Sequence, residues 1–264
     1  MRTLACFAMV ISLLASCVAW AEEAPKPQTF DSAGVSIRYT VEGKGPPVVL
    51  VHGLTSSADM NWRMPGTIKV LAESFTVIAM DCRGHGGSGK PEKADAYGVQ
   101  MAEDVVRLLD HLKVPKVHVV GYSMGGMIAM KLAVKHPDRL LSVALGGMGW
   151  LRDGSMLGAL LTGRHEKDDA GGPVLAARSF GELSVSEAEI KAVRVPLTVL
   201  VGDRDPCRRL YVEPLQEARP DWPVKIIDDA GHLTCVMKPQ FKEELKKWLE
   251  KQSKPEAAPT GAKP

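Results

Sequence analysis

The sequence predicts an α/β fold with a mostly parallel central sheet and helices on both faces. Three observations predict it. Short β-branched apolar runs alternate with helix-patterned stretches; Gly121-Tyr122-Ser123-Met124-Gly125 closes one run and opens a helical one; and 264 residues, 45% of them hydrophobic, suffice for one domain with a large buried core. Alternation of this kind asks for parallel strands joined by helical crossovers.

Residues 22–28 hold two prolines and read as an unstructured linker before a domain spanning 29–251. Strands are expected at 35–41, 48–51, 76–80, 117–120, 141–145, 197–201 and 224–227. One amphipathic helix carries Met101, Val105, Leu108, Leu109 and Leu112 on its apolar stripe, with Glu103, Asp104, Arg107 and Asp110 on its polar side. A second follows Ser123 and ends near His136-Pro137, and a third, with Phe241, Leu245, Trp248 and Leu249, closes the domain. Glycine-rich residues from about 147 to 194 break the rhythm and read as a short, partly helical insertion, with a capping box where Ser186 precedes Glu189. Residues 252–264, rich in Pro, Ala and Lys, read as a disordered tail.

Arg2, an apolar stretch over 4–14 and Ala19-Trp20-Ala21 predict a signal peptide over residues 1–21 and export to the periplasm or beyond. Leu14-Ala15-Ser16-Cys17 also resembles a bacterial lipobox, which would anchor the chain by a lipid on Cys17. Neither route leaves a transmembrane helix in the mature chain, since no later segment approaches the ~20 apolar residues a bilayer needs. Formal charge is +2, from 33 basic and 31 acidic side chains, and no basic stripe is interleaved with aromatics. Nucleic acid is therefore not an expected partner. Oligomeric state leaves no mark in the sequence.

The chemistry begins at Ser123. A serine flanked by glycines two residues either side, between strand and helix, fits a turn so sharp that bulkier neighbours would collide. Such a turn lifts the hydroxyl clear of the sheet and aims the Met124 amide at the same point. A hydroxyl still needs a base, and the base needs an orienting carboxylate. His232 lies in Asp228-Asp229-Ala230-Gly231-His232, the loop after the last strand, at the sheet edge where Ser123 emerges. The loop after the preceding strand reads Gly202-Asp203-Arg204-Asp205-Pro206. Asp205 is favoured as the acid; Asp203 and Asp229 stay open. Two backbone amides are expected to hold an oxyanion: that of Met124, and that of Leu54 in His52-Gly53-Leu54, where Gly53 permits the turn and His52 braces the loop.

Taken together, His52-Gly53, Asp81-Cys82-Arg83-Gly84-His85-Gly86-Gly87-Ser88, Gly121-Tyr122-Ser123-Met124-Gly125, Gly202-x-x-Asp205 and Gly231-His232 resemble the α/β-hydrolase superfamily across nearly all of residues 30–250. The resemblance implies the α/β-hydrolase fold with a short cap at the insertion, and bracing roles for Arg83 and His85. A serine at position 123 departs from the branches resembling haloalkane dehalogenases and epoxide hydrolases, which carry aspartate there. It implies a serine hydrolase that cleaves a small or medium carboxylic ester through an acyl-enzyme, acting on a small-molecule acyl substrate with no cofactor and no metal. A perhydrolase, acyltransferase or C–C hydrolase would use the same triad, and a ligand-binding protein of this fold is the non-catalytic alternative. In the cap, Met148, Trp150, Leu151, Met156, Leu157 and Leu160 either face the acyl or alcohol group or pack the cap onto the core. Cleavage after Ala21 would leave Cys82, Cys207 and Cys235 of the five cysteines. A Cys207–Cys235 disulfide clipping acid to base is one expectation, buried thiols the other.

Overall fold

A computed structural model of the chain describes residues 25–155, 157 and 171–254. The expected signal segment 1–21, Cys17, most of the tail, and Met156 and Leu160 of the cap lie outside the described residues. The strands are β1 (Gln28–Ser32), β2 (Val35–Glu42), β3 (Pro47–Val51), β4 (Thr76–Met80), β5 (Val117–Tyr122), β6 (Leu140–Gly146), β7 (Leu197–Gly202) and β8 (Val224–Ile227). They form one sheet in the order β1-β2-β4-β3-β5-β6-β7-β8. β2 runs antiparallel to β1 and β4, and every pairing from β4 to β8 is parallel.

The helices are α1 (Thr67–Ala72), α2 (Val99–His111), α3 (Met124–Lys135), α4 (Gly172–Arg178), α5 (Glu187–Ala192), α6 (Glu213–Ala218) and α7 (Pro239–Gln252). Because strand side chains alternate, the central strands bury both faces. Val49, Val51 and Val119 pack in one apolar cluster with Val105 of α2 and Ile128 of α3. Val48, Leu50 and Val120 pack in the other with Leu71 of α1 and Leu245 of α7. With helices packed on both faces, the strand ends are left free to carry a site.

Three sequence expectations change. Gln28 belongs to a strand, not to the linker, because β1 pairs with β2 from Gln28↔Tyr39 to Ser32↔Val35 across a tight Ala33-Gly34 turn with positive φ at both residues. Asp104 is fully buried and not on a solvated face. The Arg83 guanidinium grips it with two bonds, of 2.7 and 2.6 Å, and Ser32 Oγ donates a third. Paired bidentate contacts of this kind make a buried carboxylate tolerable. Finally, Cys82, Cys207 and Cys235 are all free thiols. Cys207 faces Asp205 while Cys235 is buried beside the Tyr122 phenol, so the two sulfurs turn to different neighbours.

The cap is partly helical, as expected. Ser186 accepts the Glu189 amide, and the Glu189 carboxylate accepts the Ser186 amide at 2.7 Å, completing the capping box. Lys131 of α3 donates to the Ser184 carbonyl, and the Gly98 amide to Ser179 Oγ, fastening the cap to the body. Trp150 and Leu151 are buried in the core, whereas Met148 and Leu157 line the cavity over Ser123.

Candidate active site

β5 is buried along its whole length and turns at Ser123 into α3. Ser123 holds φ 53° and ψ −113°, a region that costs a residue with a Cβ about 1–3 kcal/mol. A Cβ on Gly121 would sit 2.0 Å from the Gly125 carbonyl oxygen, and one on Gly125 would sit 2.1 Å from that of Val51. Glycine is thus demanded twice, between the limbs of the turn and between α3 and β3. The Ser123 amide donates to the Gly146 carbonyl at 2.8 Å, pinning the turn to the end of β6.

Parallel pairing brings the other two loops to the same edge: Val51 pairs with Gly121, Tyr122 with Gly146, Gly146 with Leu200, and Gly202 with Ile227. His232 Nε2 stands 2.9 Å from Ser123 Oγ, and its Nδ1 stands 2.9 Å from Asp205 Oδ2. A carboxylate only accepts, so Nδ1 carries the proton and Nε2 is left to accept from the serine hydroxyl. Asp205 is 3% exposed, and its second oxygen accepts the Cys207 amide at 2.8 Å. Of the three acids left open by the sequence, Asp205 alone meets the imidazole. Asp203 instead accepts the Ala230 amide at 2.8 Å, a bond that holds its carboxyl below the usual range. Asp229 points outward and pairs with Arg204.

Leu54 lines the cavity, and Gly53 lies against Ser123: a Cβ there would be 3.4 Å from Ser123 Cβ. Met124 opens α3, so its amide has no partner within the helix. His52 braces this loop as expected. Its Nε2 accepts the Cys82 amide at 3.0 Å, which leaves Nδ1 to donate to the Gly53 carbonyl at 2.7 Å and fixes a neutral ring. Burial pushes its pKa down to about 4. Asp81 continues the brace, accepting the Ala58 and Gly87 amides, each at 2.8 Å, and one arm of Arg38.

Two residues of the site carry no sequence signal. Asn61, in a π-type turn over Asp59–Arg63, accepts the Gly53 amide on Oδ1 at 3.0 Å, and its Nδ2 is buried without a partner. Tyr122 donates its phenol proton to the His232 carbonyl at 2.6 Å. Only the fold could reveal either contact, since each joins segments without a shared motif.

Above the line lies a cavity of about 480 Å³, within the range of small-molecule sites. Asp205, Cys207 and His232 each bring a ligand atom within 4.8 Å of the others, the one such group among the described residues. A cation there would have to take Nδ1 from Asp205, breaking the hydrogen-bonded line. Burial also pushes the Cys207 thiol up to about 12, against the thiolate a metal prefers.

Comparison with known proteins agrees with this architecture. Residues 46–182 match the family described as the alpha/beta hydrolase fold, and the chain belongs to that family. It is 43% identical over 119 residues to the dihydrolipoyllysine-residue acetyltransferase component of the acetoin cleaving system of Cupriavidus necator, a match covering 45% of this chain and 31% of that protein. It is 35% identical over 129 residues to a 2-hydroxy-6-oxo-6-(2'-aminophenyl)hexa-2,4-dienoic acid hydrolase of Metapseudomonas resinovorans, covering 46% and 42%. The matches span between about a third and two fifths of these curated relatives. A thermophilic esterase from Thermogutta terrifontis shares the fold with a TM-score of 0.72 and 24% identity, over 87% of this chain and 100% of that one.

Proposed function

We propose that this chain is a serine hydrolase that cleaves carboxylic esters through an acyl-enzyme. The observation that carries the reading is the unbroken line from Ser123 Oγ through His232 to Asp205, both links 2.9 Å long. Ser123 attacks the ester carbonyl as His232 Nε2 takes its proton, and the Asp205 carboxylate steadies the imidazolium. The Leu54 and Met124 amides receive the oxyanion, each donor worth about 10²–10³ in rate. Collapse expels the alcohol, which leaves with the proton from His232. Water then enters, gives a proton to the same nitrogen and attacks the acyl carbonyl, releasing the acid and restoring Ser123.

Another acceptor in place of water would make the same acyl-enzyme an acyltransferase or a perhydrolase. The relatives named as an acetyltransferase component and as a dienoic acid hydrolase keep other uses of the same triad, acyl transfer and C–C cleavage, in view. The test is hydrolysis of p-nitrophenyl butyrate by the wild type and by Ser123→Ala. The substitution should lower the rate on the order of 10⁶-fold if the three residues act as a unit. A folded Ser123→Ala protein that keeps the wild-type rate would overturn the proposal.

A further inference from the structure

We infer that the acyl group taken by this site is an uncharged, aliphatic chain, and that acyl groups ending in a carboxylate are discriminated against. The inference rests on the proposed function and specifies its substrate. The cavity wall is apolar from its buried part to its mouth. Met127, Met148 and Phe180 are all buried, while Met60, Leu233 and Met237 line the same cavity and are 58%, 84% and 51% exposed. Four of these six are methionines, whose unbranched, rotatable side chains adapt to chains of different length. The polar groups between them, such as Ser56, Asn61 and Tyr211, are neutral. Among the described residues, no lysine or arginine lines the cavity. Behind the His232 that lines it lies the buried carboxylate of Asp205, 2.9 Å from the imidazole. A substrate carboxylate on this wall would lose its water without gaining a cation from any described lining residue, which is costly in an apolar setting. Added methylenes, by contrast, gain burial along the whole wall, worth about fourfold each in kcat/KM until the cavity is filled.

The full chain tests this with p-nitrophenyl acetate, butyrate and hexanoate against mono-p-nitrophenyl adipate, which replaces the terminal methyl of the hexanoate by a carboxylate. Between butyrate and hexanoate kcat/KM should rise on the order of tenfold, and hexanoate should exceed adipate by on the order of 10²-fold. Leu233→Arg, at a rim position that is 84% exposed, should move the hexanoate-to-adipate ratio toward adipate by about fivefold. Equal or better use of adipate by the wild type, or a ratio indifferent to the new arginine, overturns the inference. Labelling of Ser123 by a fluorophosphonate separates the two levels. With labelling present, a preference for adipate, or no turnover of any of these esters, sinks the substrate assignment alone; with labelling absent, the hydrolase reading falls as well.

Discussion

Tyr122, the residue immediately before Ser123, donates its phenol proton to the backbone carbonyl of His232 at 2.6 Å. The ring fills the space over two glycines, since a Cβ on Gly146 or Gly147 would lie 2.5 or 3.0 Å from it. One side chain therefore sets the height of the His232 loop over the Ser123 turn. Tyr122→Phe keeps the ring and removes only the donor. It should cost about 1–3 kcal/mol of stability, measured by denaturant unfolding, and lower kcat more than it raises KM, because His232 loses its fixed position.

The two aspartates of the loop after β7 should separate cleanly. Asp205→Asn should lower kcat on the order of 10⁴-fold, by leaving the imidazole in the wrong tautomer. Asp203→Asn should leave kcat within about threefold and lower stability only slightly through its weakened bond to the Ala230 amide. Steady-state kinetics of both variants, with unfolding curves, decide the assignment; equal losses of kcat would contradict it.

Asn61→Ala removes the acceptor that holds the Gly53 amide beside Ser123. A fall in kcat of ten- to a hundredfold is expected as the Leu54 donor loses alignment, with Asn61→Asp restoring the acceptor and part of the rate. Kinetics of the pair show whether the carbonyl oxygen is what matters.

The elbow was legible in the sequence because close approach between backbones leaves glycine as the only residue without a collision, and Gly121 and Gly125 stand where that collision would occur. His232 was legible because parallel strands deliver successive loops to one edge. Asp205 is favoured over Asp203 by the sequence but not separated from it, since they are two residues apart on one turn and side-chain direction alone distinguishes them. Asp104 misled because helical periodicity records spacing along one helix, whereas its burial comes from Arg83, 21 residues away. β1 was hidden by its polar composition, and the expected Cys207–Cys235 disulfide failed because neighbouring loops do not imply facing sulfurs. Asn61 and Tyr122 act through contacts with other segments, which no local pattern encodes.

Gly125→Ala should cost ~3 kcal/mol or more, since the new methyl meets the Val51 carbonyl and neither α3 nor β3 can retreat from a packed sheet. The melting temperature checks this, and an unchanged value would refute the close packing seen here.

Acid should destabilise the fold through its buried neutral histidines. His118 on β5 lies between Ser142 Oγ at 2.8 Å and Ser253 Oγ at 2.9 Å, and burial pushes its pKa down to about 4. Unfolded, it titrates near 6.5. The unfolded chain therefore binds the extra proton first, and stability falls as pH drops from about 6.5 to 4, at ~1.4 kcal/mol per pH unit at most for this residue. His52, shifted in the same direction by burial, adds to the slope. Urea unfolding at pH 7.5 and 5 should show the loss, and His118→Gln should flatten it.

The central claim is that the hydroxyl of Ser123 is made nucleophilic by its place at the head of the His232–Asp205 line. Reaction of the folded protein with a fluorophosphonate, followed by peptide mapping, tests it most directly. A single adduct on Ser123, abolished by unfolding and strongly slowed in His232→Ala, is the predicted result. No adduct at that serine, or one that forms equally fast without the imidazole, would contradict the account.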